Sequence, residues 1–103
     1  MRKIIEGKIY NTETATELAH YEYGEGRRDF RYVWEALYRT PKGAYFTAGE
    51  GGPMTRYARS CGDNSTCGGE GLFVLTEAEA KEWMERHGSA DQYVAAFGVP
   101  EEA

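Results

Sequence analysis

The sequence has only two histidines and two cysteines, and this scarcity bears on catalysis and on metal binding. His20, His87, Cys61 and Cys67 are spread along the chain, and the two cysteines are further apart than the usual spacing of about two to four residues in a zinc site. An activated nucleophile needs a nearby base, and neither histidine lies in a suggestive local motif. We therefore predict a protein that is not an enzyme and that holds no metal ion or other cofactor.

Long apolar runs are also missing. No stretch approaches the ~18 consecutive apolar residues of a membrane helix, and residues 1–6 lack the apolar character of a signal peptide. We therefore expect a cytoplasmic protein without a membrane partner. A reducing cytosol would keep Cys61 and Cys67 as thiols, although a disulfide across the intervening segment is geometrically conceivable.

The composition is that of a folded chain. Of 103 residues, 41% are apolar and 14% are aromatic, including eight tyrosines. A chain of this length has room for one compact core, in which the aromatic side chains must supply much of the buried surface. We predict a single domain over residues 1–103.

The charge is unevenly distributed. The net charge is −5, yet residues 1–60 carry ten Lys and Arg against eight Asp and Glu, whereas residues 61–103 carry two against nine. An acidic surface is attracted to basic surfaces, including the channels of proteins that bind nucleic acids. The alternative is that the charge only keeps the protein soluble.

The N-terminal quarter predicts a strand pair and a helical turn. Residues 3–10 are rich in β-branched and aromatic side chains around Gly7, which indicates a strand or a strand pair that bends there. Residues 11–20 contain capping-type side chains, and Thr14 with Glu17 fits a capping box. We expect a short helical turn in that segment.

The clearest strand pattern runs from residue 30 to residue 40, after an exposed turn at residues 24–29. The alternation places Phe30, Tyr32, Trp34, Ala36 and Tyr38 on one face and Arg31, Val33, Glu35, Leu37 and Arg39 on the other. We expect helices to cover the aromatic face and solvent to reach the mixed face. A turn at residues 41–43 and a return strand at residues 44–48 complete a central antiparallel hairpin.

Residues 49–71 contain seven of the thirteen glycines. They predict a long, partly ordered connection with a single turn at residues 54–59, and such connections often carry binding residues. We expect Glu50, Arg56 and Tyr57 to contact a partner there. The alternative is a turn that simply needs glycine.

The last third predicts a strand at residues 72–75 and two short helices. Thr76 with Glu79 forms a capping box that begins the first helix, and Gly88 is expected to end it in the left-handed conformation. A second helix begins after Ser89 and ends at Gly98. The fold class is therefore α+β: an antiparallel sheet of about four to five strands with a central hairpin, packed by two C-terminal helices and the N-terminal helical turn.

Acidic side chains on these helices form a predicted partner-binding surface. They are Glu77, Glu79, Glu82, Glu85 and Asp91. A solvated helix face is the alternative explanation for such residues.

Nucleic-acid binding is a second hypothesis. Arg27, Arg28, Arg31 and Arg39 can line one sheet face, with Tyr38 or Tyr45 available for base stacking. The negative net charge disfavours direct binding, because most non-specific affinity for nucleic acid comes from a basic excess.

Three segments resemble a family of small proteins encoded by bacterial chromosomes, plasmids and phages. They are residues 7–15 (GKIYNTETA), 37–43 (LYRTPKG) and 49–55 (GEGGPMT), and the helix start at residues 75–80 with Trp83 extends the similarity. Such mobile-element proteins include anti-CRISPR proteins, which this chain resembles in size, acidity and lack of catalytic residues. The resemblance implies stoichiometric inhibition of a CRISPR–Cas effector by occupation of its nucleic-acid-binding surface.

The expected partner is therefore a CRISPR–Cas effector, and the alternative function is that of a nucleic-acid-binding accessory protein of a mobile element. The oligomeric state is open, because Val33 and Leu37 on the mixed sheet face could pair with a second copy.

Overall fold

The computed structural model describes residues 1–26 and 28–103. In this part of the chain, eight strands precede two helices. They are β1 (Arg2–Ile5), β2 (Lys8–Asn11), β3 (Thr16–Tyr23), β4 (Val33–Arg39), β5 (Tyr45–Gly51), β6 (Arg59–Gly62), β7 (Ser65–Cys67), β8 (Gly69–Leu75), α1 (Glu77–His87) and α2 (Ala90–Phe97). The antiparallel sheet with two C-terminal helices confirms the α+β prediction.

The main sheet has four antiparallel strands in the order β3-β4-β5-β8, and the predicted β4–β5 hairpin lies at its centre. The hairpin turn is closed by the Thr40 amide, which donates to the Ala44 carbonyl at 2.8 Å. Strand β4 begins at Val33 rather than Phe30, because the Asp29 carboxylate accepts the Arg31 amide and holds a turn there. Phe30 is consequently 64% exposed.

The N-terminal hairpin β1–β2 covers the aromatic face of the sheet. It turns at Glu6 and Gly7, which both have positive φ, so the predicted bend at Gly7 is confirmed. Tyr10 from this hairpin packs edge-on against Phe46, with ring centroids 5.7 Å apart. The core on this side comprises Tyr10, Ala36, Tyr38, Phe46, Ala48 and Leu72.

The two helices cover the opposite, mixed face, so the prediction of which face they would cover is wrong. Leu37 and Ala19 pack there against Ala80, Trp83 and Met84 of α1. Both faces of the central strands are buried, and alternation alone therefore could not say which face the helices take. With Val33 and Leu37 in the core, the face predicted for pairing with a second copy is not available.

The predicted helical turn at residues 11–20 is wrong over most of its length. A single turn remains, in which the Ala15 amide donates to the Asn11 carbonyl at 3.0 Å, and β3 begins at the next residue. Glu17 pairs with Tyr38 of β4, so it cannot close a capping box with Thr14. The strand ladder to β4 outweighs the weak local helix signal.

The glycine-rich segment is largely strand rather than a long loop. Strand β5 continues to Gly51, β8 begins at Gly69, and β6 and β7 form a hairpin between them. Only the stretch at residues 52–58 is a compact connection, and it contains the predicted turn, in which the Ala58 amide donates to the Thr55 carbonyl at 3.1 Å. The segment is therefore not the long connection that was expected, because its two ends belong to the paired strands β5 and β8.

Cys61 and Cys67 form a disulfide across the β6–β7 hairpin, with their Cα atoms 5.8 Å apart. The expectation of thiols, beside which a disulfide was left open, is therefore not met. It rested on the assumed compartment, whereas hairpin pairing brings the two residues within bonding distance. Asn64, which has a positive φ, makes the turn between them.

Both predicted helix starts are confirmed. Thr76 and Glu79 form a capping box at α1, and Ser89 and Gln92 form another at α2. Gly88 ends α1 in an extended conformation, with φ at −96°, so the predicted left-handed stop is wrong. Neither helix of the described chain has the length or apolar character of a membrane crossing.

Candidate functional site

Five acidic side chains on α1 and α2 form a surface that we call the acidic helix surface. They are Glu77, Glu79, Glu82, Glu85 and Asp91, and each is exposed. Helix α1 buries Ala80, Trp83 and Met84 against the sheet, so its acidic residues point away from the core. The structure thus brings the predicted helix residues to one side of the sheet.

Two of these carboxylates have structural roles. Glu79 accepts the Thr76 amide at 2.9 Å in the capping box, and this backbone hydrogen bond lowers the pKa of Glu79. Glu77 lies 3.3 Å from the Lys81 ammonium group, one turn along α1. Glu82 and Glu85 lie on the outer side of the same helix, where their charge acts on solvent and on anything that approaches.

A second cluster surrounds Glu35, which is 2% exposed in the middle of β4. The Trp83 indole Nε1 donates to Glu35 Oε1 at 2.6 Å, and the Tyr57 hydroxyl donates to Glu35 Oε2. The cluster joins the central strand to α1 and to the connection after β5. Burying a carboxylate without donors would be costly, and these two hydrogen bonds offset that cost.

Arg56 closes the cluster towards solvent. Its guanidinium lies 3.7 Å from Glu35 Oε2 and 3.9 Å from the centre of the Phe73 ring, while the side chain remains 48% exposed. Tyr57 beside it is only 4% exposed, so it lies in the core and not on a partner-facing loop. Of the three residues predicted around this segment, Tyr57 is therefore placed where a partner does not reach it.

The hydrogen bonds of the Glu35 cluster stabilise its packing. Burial, followed by the hydrogen bond to Glu35, raises the pKa of Tyr57 far above its usual range, so the phenol stays protonated as a donor. The Glu35 carboxylate receives two donors and faces a guanidinium.

Tyr21 and His87 extend the cluster beside Trp83. Their rings stack with centroids 3.7 Å apart, and His87 meets the Trp83 ring edge-on at 5.1 Å. Burial lowers the pKa of His87 and raises the pKa of Tyr21. His87 is therefore a neutral packing partner for Tyr21 and Trp83 at the end of α1.

Glu50 lies on the other side of the sheet, within a cross-strand row. In register it faces Trp34 of β4 and Glu70 of β8. This row borders an open cleft of about 630 Å³, which Tyr32, Arg59 and the backbone of four glycines also line. Glu50 is thus separated by the sheet from Arg56 and from the acidic helix surface.

The arginines of the nucleic-acid hypothesis are not brought together. Arg39 donates to the Ala96 carbonyl and lies over the Tyr45 ring, so it attaches α2 to the sheet. Arg28 and Arg31 lie in the connection before β4, and Arg27 lies outside the described residues. Tyr38 is buried. Among the described residues, these arginines therefore do not form an arginine-bearing sheet face.

Neither a metal site among the described residues nor a similarity to known proteins helps to assign a function to this site. Within residues 1–26 and 28–103, no three His, Cys, Asp or Glu side chains are grouped to hold a metal ion. No protein-family model, curated protein or solved structure matches this chain.

Glu35 and Trp83 belong to a cluster that the sequence pattern did not reveal. A glutamate amid Val33, Ala36 and Leu37 was a signal of a buried, paired charge, because an isolated buried carboxylate is rare. The partners could not be named, since Tyr57 and Trp83 are distant in sequence.

Proposed function

We propose that this protein binds a basic surface of another protein stoichiometrically, and that the partner is a CRISPR–Cas effector whose nucleic-acid-binding surface it blocks. The binding residues are those of the acidic helix surface, chiefly Glu82, Glu85 and Asp91. The proposal assigns no catalytic step to the protein.

The observation that carries the proposal is the concentration of charge on the helical side. Residues 77–103 contain seven acidic residues against two basic ones, and the five predicted acids are all exposed. Such a surface attracts a basic partner over roughly 10 Å at moderate salt and raises the rate of encounter. The resemblance to anti-CRISPR proteins supplies the class of partner, since Cas effectors carry basic channels for guide RNA and target DNA.

A pull-down with purified effectors tests the proposal. The immobilised protein is incubated with representative Cas effectors, each loaded with guide RNA or free of it, and target cleavage is measured across a range of inhibitor concentrations. We expect one effector to be retained and its cleavage to stop near one inhibitor per effector. Inhibition at far below equimolar amounts would indicate catalytic inactivation and would contradict the proposal, as would retention of none of the effectors.

A further inference from the structure

An apolar groove opens within the acidic side of the molecule, between α1 and α2. Its volume is about 470 Å³. The lining residues are Met84, Gly88, Ala90, Tyr93, Val94 and Pro100, with Glu85 at the rim. Val94 is 39% exposed there, although an apolar side chain gains stability when it is removed from water.

The groove exists because of how the two helices meet. Gly88 allows close packing at the helix junction, since a Cβ at this position would lie 2.2 Å from Met84 Sδ. Helix α2 turns Tyr93, Ala96 and Phe97 towards the sheet core, so that Val94 is left at its edge. The floor is thus built by packing and does not depend on a mobile loop.

Acidic residues lie at the groove or next in sequence to the residues that line it. Glu85 lines it, Asp91 follows Ala90 in α2, and Glu101 and Glu102 follow Pro100 in an exposed tail. The basic residues of the same region are Lys81, which pairs with Glu77, and Arg86. An apolar pocket with a polar, charged rim is the usual form of a binding hot spot, in which one anchor side chain is enclosed and water is excluded around it.

We infer that the α1–α2 groove takes an apolar anchor side chain, such as leucine or phenylalanine, from a segment of the partner that is otherwise rich in lysine and arginine. The inference rests on the proposed function, because Glu85 of the acidic helix surface also lines the groove. The charges bring the partner to this surface, and the anchor determines which basic segment stays bound.

The larger cleft beside Glu50 does not compete for this role. Its lining consists of four glycines and Pro53 with Glu50, Glu70, Arg59 and Tyr32, so it offers no cluster of large apolar side chains to enclose an anchor. The anchor therefore belongs to the helical side, where the apolar surface and the acidic rim coincide.

Two synthetic peptides of about 12 residues test the inference. Both have the same lysine and arginine content; one carries leucine and phenylalanine at its centre, and the other has serine at both positions. Binding to the full-length chain is followed by NMR of the Met84 and Val94 methyl groups and by calorimetry. The variants are Val94→Gln and, as a matched control, Val74→Gln, because Val74 is 40% exposed on the opposite side of the sheet.

We expect the anchored peptide to bind about tenfold more tightly than the serine peptide and to shift the Met84 and Val94 methyl signals. Val94→Gln should remove most of that difference, whereas Val74→Gln should preserve it. Equal binding of the two peptides, or equal effects of the two variants, would overturn the groove inference while leaving charge-driven binding intact. If neither peptide binds even at low salt, the acidic helix surface is itself not a binding surface, and the proposed function falls with the inference.

Discussion

Burial and the Glu35 carboxylate both oppose ionisation of the Tyr57 hydroxyl. In the folded chain its pKa lies above the value of about 10 that it has when unfolded. A raised folded-state pKa contributes stability that is fully present below pH ~10 and is lost as the pH rises beyond it. The Glu35 cluster should therefore weaken at alkaline pH.

Tyr57→Phe tests this account. At neutral pH we expect the free energy of unfolding to fall by about 1–3 kcal/mol, because a buried Glu35 oxygen loses its donor. Above pH ~10 the gap between the wild type and the variant should narrow. Urea unfolding at both pH values gives the comparison, with Tyr23→Phe as the exposed control. A gap that stays constant with pH would contradict the role given to the hydroxyl.

The lowered pKa of His87 predicts a corresponding loss of stability at acid pH. Burial lowers its folded-state pKa, and Glu35 opposes this effect while Arg86 adds to it. The stability contributed by neutral His87 is therefore present above its unfolded pKa of about 6.5 and is lost as the pH falls through the lowered value. The free energy of unfolding of the wild type should therefore exceed that of His87→Gln at neutral pH, and this difference should shrink as the pH falls below about 6.5.

Urea unfolding across that range measures the effect, and His20→Gln is the control because the His20 ring is exposed beside Glu17. If the His87→Gln and His20→Gln variants follow the same pH dependence as the wild type, His87 is not the group responsible.

At the scale of elements, Gly49 and Gly71 pair across β5 and β8 but differ in how closely other parts of the chain approach them. A Cβ at Gly49 would lie 2.2 Å from the Trp34 carbonyl oxygen and 3.0 Å from the Tyr57 hydroxyl. The residue is thus needed for the strand pairing and for the Glu35 cluster at once. Its partner Gly71 has only ordinary contacts, the nearest at 3.5 Å.

Gly49→Ala should consequently lower the free energy of unfolding by about 3 kcal/mol, since the clash is with backbone that cannot move cheaply. Gly71→Ala in the facing position should change it by less than about 1 kcal/mol. Thermal or urea unfolding of the two variants measures both changes in the free energy of unfolding. Equal losses would mean that glycine is required in these strands for some reason other than close approach.

The β6–β7 hairpin yields a prediction about its disulfide. It closes a short loop, so the chain-entropy model gives at most ~2 kcal/mol of stabilisation. The double variant Cys61→Ser/Cys67→Ser should therefore still fold, with a loss no larger than this in urea unfolding. Peptide mass mapping without reductant should show the joined peptides two hydrogens lighter than the free thiols. A variant that fails to fold would show that the hairpin carries much more of the stability.

The elements differ in how far local sequence determined them. The capping boxes at Thr76 and Ser89 predicted both helix starts, because a cap is a contact within four residues. Residues 16–20 of strand β3 were taken for a helical turn because this strand is stabilised by pairing with β4, a contact distant in sequence. The glycine-rich segment was taken for a loop since composition does not reveal that a glycine faces another backbone across a strand pair.

Across the whole molecule, the sheet separates two unlike surfaces. The N-terminal hairpin on one side carries Arg2, Lys3 and Lys8, and the helices on the other carry the acidic helix surface. Glu50 and Glu70 also lie on the hairpin side, so the charge there is mixed, whereas the helical side presents five exposed acids to an approaching basic partner. The sequence predicted this charge difference and the five acidic positions, but the groove at Val94 requires the packing of two helices and was not predictable from pattern alone.

The structure also guides the choice of charge reversals. Glu79 closes a capping box and Glu77 pairs with Lys81, so changing either would disturb α1 itself. Glu82 and Glu85 can be reversed on the outer side of the helix. Glu13 and Glu25, which are exposed acids outside the helices, give a control with the same change in net charge.

The most direct test of the proposed function is the affinity for the retained Cas effector of three proteins: the wild type, Glu82→Lys/Glu85→Lys and Glu13→Lys/Glu25→Lys. The measurement is made at about 50 and about 300 mM salt. We predict that the helix reversal weakens binding about tenfold or more at low salt and reduces its salt dependence, while the control stays within about twofold of the wild type. Equal affinities for the helix reversal and the wild type would contradict binding through the acidic helix surface.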